Sequence, residues 1–362
     1  MLKSYGWSEA LQTQFQTFAD RGHTPGRVTV QQRGLYRLAT PDGDLSAELS
    51  GKLAHEAGEG GYPVAGDWVA CATRPGEGAA TIHAVLPRSS VFVRKASGPN
   101  VAPQTVAANV DIALLTASLN ADLSLRRLER YLAVAWESGA QPVVVLTKAD
   151  ACDDVDALVS QVESIAIGCP VHAVSAVTGQ GLGALAALLG PGQTAVLLGS
   201  SGVGKSTLVN ALAGQALMAT QAIIDEGARG RHTTTHRELI LLPSGGLVLD
   251  TPGMRELGLW DNEAGVAAAF GDIEALAAQC RFHDCAHRTE PGCAVRAALE
   301  DGTLDEGRWK SFGKLQRELA HLDLKDDPLA RAEVRKVWIN RHKAARAHMK
   351  HKRGELELFP PL

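Results

Sequence analysis

Residues Gly199-Ser200-Ser201-Gly202-Val203-Gly204-Lys205-Ser206 follow a short apolar run at 194–198 and precede a helical one at 207–212. Strand, glycine-rich turn and helix in that order fit the pattern G-x-x-x-x-G-K-[ST] and admit few folds. Glycines let the backbone curl close around an anion, with N–H groups at the positive end of the helix dipole pointing inward. Lys205 would neutralise β- and γ-phosphate charge, and the Ser206 hydroxyl, with Thr207 beside it, would ligate Mg²⁺. The plain alternative is a glycine-rich turn with a chance lysine. The strand before and the helix after argue against it, so a nucleoside triphosphate is the expected ligand.

Two further motifs flank this loop. Leu247-Val248-Leu249 reads as a strand ending in Asp250-Thr251-Pro252-Gly253. An aspartate at that strand end can hold the Mg²⁺ shell through water, and the Gly253 N–H can sense the γ-phosphate. Between the motifs, Gly230-Arg231-His232-Thr233-Thr234-Thr235-His236-Arg237 is placed as a switch loop whose threonine closes on Mg²⁺. Thr234 is the first choice of ligand, Thr235 the second, and a solvated loop the bland reading.

Upstream, a buried strand at 142–147 ends in Thr147-Lys148-Ala149-Asp150. The Asp150 carboxylate can accept from guanine N1–H and N2–H₂ together, a pair adenine lacks, while Lys148 lays its alkyl stem over the base. A second strand, 171–174, runs into Ser175-Ala176, where a backbone N–H can meet guanine O6. A surface Lys-Ala-Asp is common by itself; the two strand ends together favour guanine. Base-reading segments here precede the phosphate loop, whereas Ras-like GTPases place them after it. Strand ends converge on a ligand whatever the connectivity, so a circular permutation keeps the pocket. It also leads the second switch directly into the C-terminal region.

The chain has 362 residues, enough for two or three domains, with 45% hydrophobic and 21% charged residues. A net charge of −4 gives no global argument for nucleic acid. No apolar run approaches a membrane span and no signal-peptide core opens the chain, so a cytoplasmic protein without membrane contact is expected. Residues 1–25 read as a polar, partly helical lead-in. Five short runs between 27 and 86, with turn chemistry between them, suggest antiparallel strands in a small closed barrel of the OB type, an SH3-like barrel being the runner-up. Residues 87–108 read as a connector. Alternating β/α texture then predicts strands at 112–117, 142–147, 171–174, 195–198, 238–242 and 247–250. Helices are expected at 124–138 with Ser124 as cap, at 153–167 and at 182–189, and from 263 the texture is helical. From 331 to 353 the chain is strongly basic, with Arg331, Arg335, Lys336, Arg341, Lys343, Arg346, Lys350, Lys352 and Arg353 against Glu333.

Three of the six cysteines crowd together, in Cys280-Arg281-Phe282-His283-Asp284-Cys285-Ala286-His287 and on to Cys293. In a reducing compartment that points to metal rather than disulfides. Cys280, Cys285, His287 and Cys293 make a closed Cys₃His shell for one structural Zn²⁺, with no place for a catalytic water. His283 competes for the histidine position, and reduced structural thiols are the alternative.

Permuted motif order, an N-terminal barrel and a C-terminal Cys/His knot together resemble the RsgA (YjeQ) family, the circularly permuted GTPases of small ribosomal subunit biogenesis. Supporting runs are Ala107-Ala108-Asn109-Val110-Asp111, the 230–236 segment, and Glu290-Pro291-Gly292-Cys293. The resemblance covers about residues 26–325 and implies GTP hydrolysis stimulated by the small subunit late in its maturation. It also implies rRNA contacts by barrel and zinc domain, and release after hydrolysis. The expected division is a lead-in at 1–25, a barrel at 26–97, a doubly wound α/β GTPase domain at 98–262, a helical zinc domain at 263–330 and a basic tail at 331–362, in a monomer. Two points depart from the family pattern. Thr147 stands where the base-reading tetrad usually begins with asparagine, which would weaken guanine affinity, and the tail has no counterpart. Met254 follows Gly253 where Ras-like enzymes carry a water-orienting glutamine. His232 is therefore the in-chain candidate to orient water. Rival readings are a nucleotide-gated rRNA-binding module with incidental hydrolysis, an ATP-dependent kinase, and a zinc-dependent RNA-binding protein.

Overall fold

The computed structural model describes residues 1–32, 34–57, 61–95, 103–120, 123–218, 237–250 and 263–326. A helical turn, Leu2–Tyr5, and α1 (Glu9–Ala19), capped by the Ser8 hydroxyl, open the chain. This segment buries Leu2 and Phe15 against Trp68 of the barrel, with Trp7 edge-on to both aromatic rings at 5.8 and 4.9 Å.

The barrel consists of β1 (Thr24–Gln32), β2 (Leu35–Thr40), β3 (Gly43–Leu49), the short helix α2 (Gly51–Glu56), β4 (Trp68–Arg74) and β5 (Ala79–Val85). Its strands run in the closed order β1-β2-β3-β5-β4-β1. The expectation of antiparallel pairing throughout fails at one seam, where β3 and β5 run parallel. A closed ring of an odd number of strands cannot alternate direction everywhere, so one such seam is required. Its position, with the helix between β3 and β4, gives the OB order rather than the SH3-like one. Period-two pairs, Tyr36/Leu38, Leu45/Ala47, Val69/Cys71 and Ala80/Ile82, point inward and fill the barrel with Val28.

The stretch expected as a connector holds a hairpin, β6 (Val91–Lys95) paired with β7 (Pro103–Ala108). Then follow β8 (Ile112–Ser118), α3 (Leu125–Ser138), β9 (Gln141–Thr147), α4 (Val155–Glu163), β10 (Val171–Ala173), α5 (Leu182–Leu188), β11 (Thr194–Leu198), α6 (Lys205–Ala213), β12 (Arg237–Leu241) and β13 (Leu247–Asp250). The strands lie in the order β10-β9-β8-β11-β13-β12, all parallel except β12. Successive residues of β8 serve opposite layers. Ala113 and Leu115 join Leu128 and Leu132 of α3, while Ile112 and Leu114 join Leu185, Leu208 and Val209 of α5 and α6. Burial on both faces is why these strands read as continuous apolar runs. Ser124 stands at the N-cap of α3 but makes no capping bond, and Gly139 closes that helix with φ 85°.

The C-terminal unit comprises α7 (Glu263–Ala269), α8 (Gly271–Ala277), α9 (Ala294–Glu300) and α10 (Glu306–Asp326). α7 lies so close to α3 that a Cβ on Gly265 would fall 2.4 Å from the Ala133 carbonyl. Among the described residues no helix is long and apolar enough to cross a membrane.

Candidate nucleotide site and metal centre

The phosphate loop leaves β11 at the centre of the sheet, between β8 and β13. Gly199, Gly202 and Gly204 have φ of 155°, 79° and 97°. At Gly199 a side chain is also excluded by space, since its Cβ would sit 2.3 Å from the Thr116 carbonyl on β8. Val203 is buried and anchors the loop from below, while Ser201 and Gly202 are exposed. Lys205 opens α6 and its ammonium donates to the Gly199 and Ser200 carbonyls at 2.8 and 2.6 Å. Ser206 and Thr207 follow in the first helical turn. A hydroxyl there, near the carboxyl end of β13 at Asp250, offers the hard oxygen donors that suit Mg²⁺.

The segment expected to read the base touches this loop directly. The buried Thr147 hydroxyl donates to the Val203 carbonyl at 2.5 Å and lies 3.2 Å from that of Ala117. Lys148, in the left-handed region at φ 60°, donates to the Gly202 carbonyl at 3.0 Å. Asp150 is exposed in the turn that follows, and Ala149 N–H bonds the Val174 carbonyl at 3.1 Å. That bond sets the second loop beside the first. There the buried Ser175 hydroxyl accepts from the N–H groups of Val177 and Thr178 at 3.2 and 3.1 Å, ordering the turn that carries Ala176. Residues 147–150, 175–176 and 199–206 thus share one edge of the sheet, despite their order along the chain.

His232, Thr234, Thr235, Gly253 and Met254 lie outside the described residues, as does the basic segment 331–353. Asp250 closes β13, its backbone paired with Glu238. A residue that motif reading does not single out is Arg127 of α3, whose guanidinium donates to the Ser200 hydroxyl. Both line a small cleft with Thr116, Ser124, Tyr131 and Val203.

In the C-terminal unit, one donor atom from each of Cys280, Cys285, His287 and Cys293 falls within 4.8 Å of every other. Cys280 Sγ lies 3.9 Å from Cys293 Sγ and 3.6 Å from His287 Nδ1, which is 3.4 Å from Cys293 Sγ. A tetrahedral zinc shell has edges of about 3.8 Å between sulfurs and about 3.6 Å between sulfur and nitrogen, given its bond lengths. The donor set and the spacing are therefore compatible with zinc. His287 reaches the cluster from a left-handed backbone at φ 57°, whereas His283 is exposed and outside it. Burial works to raise the Cys280 thiol pKa, but bonds from the Val295 and Ala294 N–H groups and the neighbouring thiols outweigh it and lower it. Glu290 braces the loop by accepting from the N–H groups of Ala286, Arg288 and Thr289 at 3.2, 2.7 and 2.9 Å.

Comparison with known proteins bears on this architecture. The family model described as RsgA GTPase matches residues 85–260. The chain is 49% identical over 357 residues to the small ribosomal subunit biogenesis GTPase RsgA of Opitutus terrae, covering 96% of this chain and 97% of that one. It is 48% identical over 358 residues to the protein of the same name from Streptomyces coelicolor, covering 98% and 96%. Among solved structures, YjeQ from Thermotoga maritima matches with a TM-score of 0.62 at 29% identity, over 82% of this chain and 99% of that one. YloQ, described as a circularly permuted GTPase, matches with a TM-score of 0.60 at 25% identity, over 83% and 96%. With the permuted strand order and the N-terminal barrel, these likenesses establish that the chain belongs to the RsgA family of circularly permuted GTPases.

Proposed function

We propose that this chain hydrolyses GTP while docked on the small ribosomal subunit, late in that subunit's maturation, and leaves once hydrolysis is complete. The reading rests on one observation above others: Thr147 and Lys148 bond the carbonyls of Val203 and Gly202, which supports a single site shared by the segment assigned to the base and the phosphate loop. The names borne by the relatives supply the subunit as partner.

Within the pocket, Asp150 holds the guanine edge, Lys148 covers its face, and an N–H at Ser175-Ala176 meets O6. The loop from Gly199 to Gly204 wraps the phosphates with backbone N–H groups, and Lys205 exchanges its two loop carbonyls for phosphate oxygens. Ser206 and Thr234 would hold Mg²⁺, with Asp250 acting through water. Bound there, the ion neutralises charge on the β- and γ-oxygens. Water attacks the γ-phosphorus in line, the bond to the β–γ bridging oxygen breaks, and GDP and phosphate result. The Gly253 N–H follows the γ-phosphate. Met254 carries no group able to orient the attacking water, and His232 supplies one in the docked protein. Zinc on Cys280, Cys285, His287 and Cys293 would serve structure, since four protein ligands close its shell. The barrel, the Cys/His region and the basic tail form the rRNA-binding surfaces of a cytoplasmic monomer.

The test is GTP turnover measured with purified small subunits, with large subunits and with neither. Small subunits alone are expected to raise the rate. Equal rates in all three would overturn the docking claim. In the same assay, His232→Ala is expected to retain GTP binding and to lose most of the stimulated rate, and an unchanged stimulated rate removes the role given to His232.

A further inference from the structure

Neighbouring residues of α3 reach in two directions. A helix advances 100° per residue, so Arg126, Glu129 and Arg130 share one side while Arg127 sits beside it. The shared side meets the C-terminal helices. Arg126 pairs with Asp305, and Arg130 grips both oxygens of Glu318. Glu129, with no exposed surface, accepts on one oxygen from Arg126 at 2.5 Å and Arg308 at 3.2 Å. Its other oxygen has no hydrogen-bond partner among the described residues. Arg308 also grips Asp272 at 2.8 and 2.6 Å and stacks 4.7 Å over Phe270. The adjacent Trp309 packs edge-on to the metal-cluster residue His287 at 5.7 Å. On the other side, Arg127 donates to Ser200 in the phosphate loop.

Buried ion pairs are weak evidence for stability, because apolar side chains fill such space without losing hydration. What these pairs supply is a fixed angle between α3 and the C-terminal helices, and α3 carries that angle to the loop. We propose that Arg127 is a positioning residue of the phosphate loop, and that α3 transmits to it the placement of the C-terminal unit. A partner that shifts α8 and α10 then changes nucleotide affinity without touching the nucleotide. This rests on the reading of 199–206 as the phosphate site.

The test titrates full-length protein with a fluorescent GDP analogue. The variants are Arg127→Ala, Arg127→Lys, Glu129→Gln, Arg130→Ala and the double variant Arg127→Ala/Arg130→Ala, each checked for folding by thermal melting. Arg127→Ala should weaken binding about tenfold, within the usual span of coupling between sites. Arg127→Lys, which keeps a donor, should recover most of that loss. Arg130→Ala and Glu129→Gln touch no loop residue, yet should weaken binding several-fold in wild type. In the Arg127→Ala background, Arg130→Ala should add nothing. Should Glu129→Gln fail to fold, the partly exposed Arg130–Glu318 pair still decides. Unchanged affinity in a folded Arg130→Ala protein, or purely additive losses, overturns the proposal. Failure of the wild-type protein to bind GDP would instead remove the phosphate-site reading on which it stands.

Discussion

Thr147 shows how one side chain can serve two parts of a site. It stands at the head of the segment assigned here to the base, yet its hydroxyl turns to the backbone. It donates to the carbonyl of Val203, inside the phosphate loop. Both residues are buried, so without the hydroxyl the Val203 carbonyl would be left unpaired, at a cost of about 1–3 kcal/mol. The family pattern puts asparagine here, and an asparagine amide could donate to the same carbonyl. The substitution therefore keeps the bond while changing the group that makes it. Thr147→Val, equal in size but without a donor, should weaken GDP binding by about tenfold, the equivalent of about 1.4 kcal/mol. Thr147→Asn should bind close to wild type. Both are read by titration with a fluorescent GDP analogue, and equal affinity of the valine variant would show that the bond does not hold the loop.

Elements differ in how far local sequence announces them. Strands of the central sheet were legible because apolar runs such as 143–146 and 195–198 end in glycine or turn chemistry. The hairpin of β6 and β7 was not, because its runs at 91–94 and 104–107 are short, do not alternate, and are set among Gly98, Pro99 and Pro103. The parallel seam between β3 and β5 is a closure constraint and leaves no local mark. Pairs such as Glu129 with Arg308 are likewise invisible, since they join residues 179 apart. In the Cys/His cluster the donor types and the preference for His287 were legible, and the structure groups His287 rather than His283 with the three cysteines. Cys293 has a second task there, since its sulfur accepts from the Arg296 N–H at the start of α9. Cys293→Ser should therefore bring bound zinc from about one per chain, the content of a closed four-ligand shell, to near zero and lower the melting temperature. His283→Ala should leave both unchanged. Metal analysis and thermal melting check this, and loss of zinc in His283→Ala would reverse the ligand assignment. Glu290 has its pKa lowered to about 2 by backbone N–H bonds, from an ordinary value of 4.5. Its support is fully present above pH 4.5 and fades only as pH falls through about 2. Zinc lost at about pH 5 would thus reflect protonation of the ligands themselves.

At the scale of the whole molecule, two junctions between barrel and GTPase sheet stand out among the described residues. One is a ladder: Val30 and Gln31 of β1 pair with Glu238 and Arg237 of β12, the strand that follows the 219–236 segment. The Arg237 guanidinium reinforces it by donating to Gln31 Oε1 at 2.9 Å. The second is a buried knot. Arg27 is 2% exposed, lies 4.9 Å over the Trp68 ring, and donates to the Tyr5 and Asn109 carbonyls and the Thr194 hydroxyl at 2.6, 3.0 and 3.1 Å. Asn109, at φ 53°, returns a bond to the Gly66 carbonyl at 3.1 Å. At Gly66, with φ 93°, the two backbones approach so tightly that a Cβ would lie 2.2 Å from the Ala108 carbonyl. Gly22 has a similar φ of 79° but nothing within 4 Å, so it isolates the backbone cost, about 1–2 kcal/mol. Gly66→Ala adds a clash against backbone, which cannot turn aside as a side chain can. It should lower the melting temperature well beyond Gly22→Ala and divide the calorimetric unfolding peak in two, as the barrel separates from the sheet. GDP binding should persist at low temperature, because the loop at 199–206 and the segment at 147–150 are built without barrel residues. A single peak with the same shift in both variants would mean that the barrel is held by the β1–β12 ladder alone. The knot around Arg27 would then be filling space rather than fixing the angle at which the barrel meets β12.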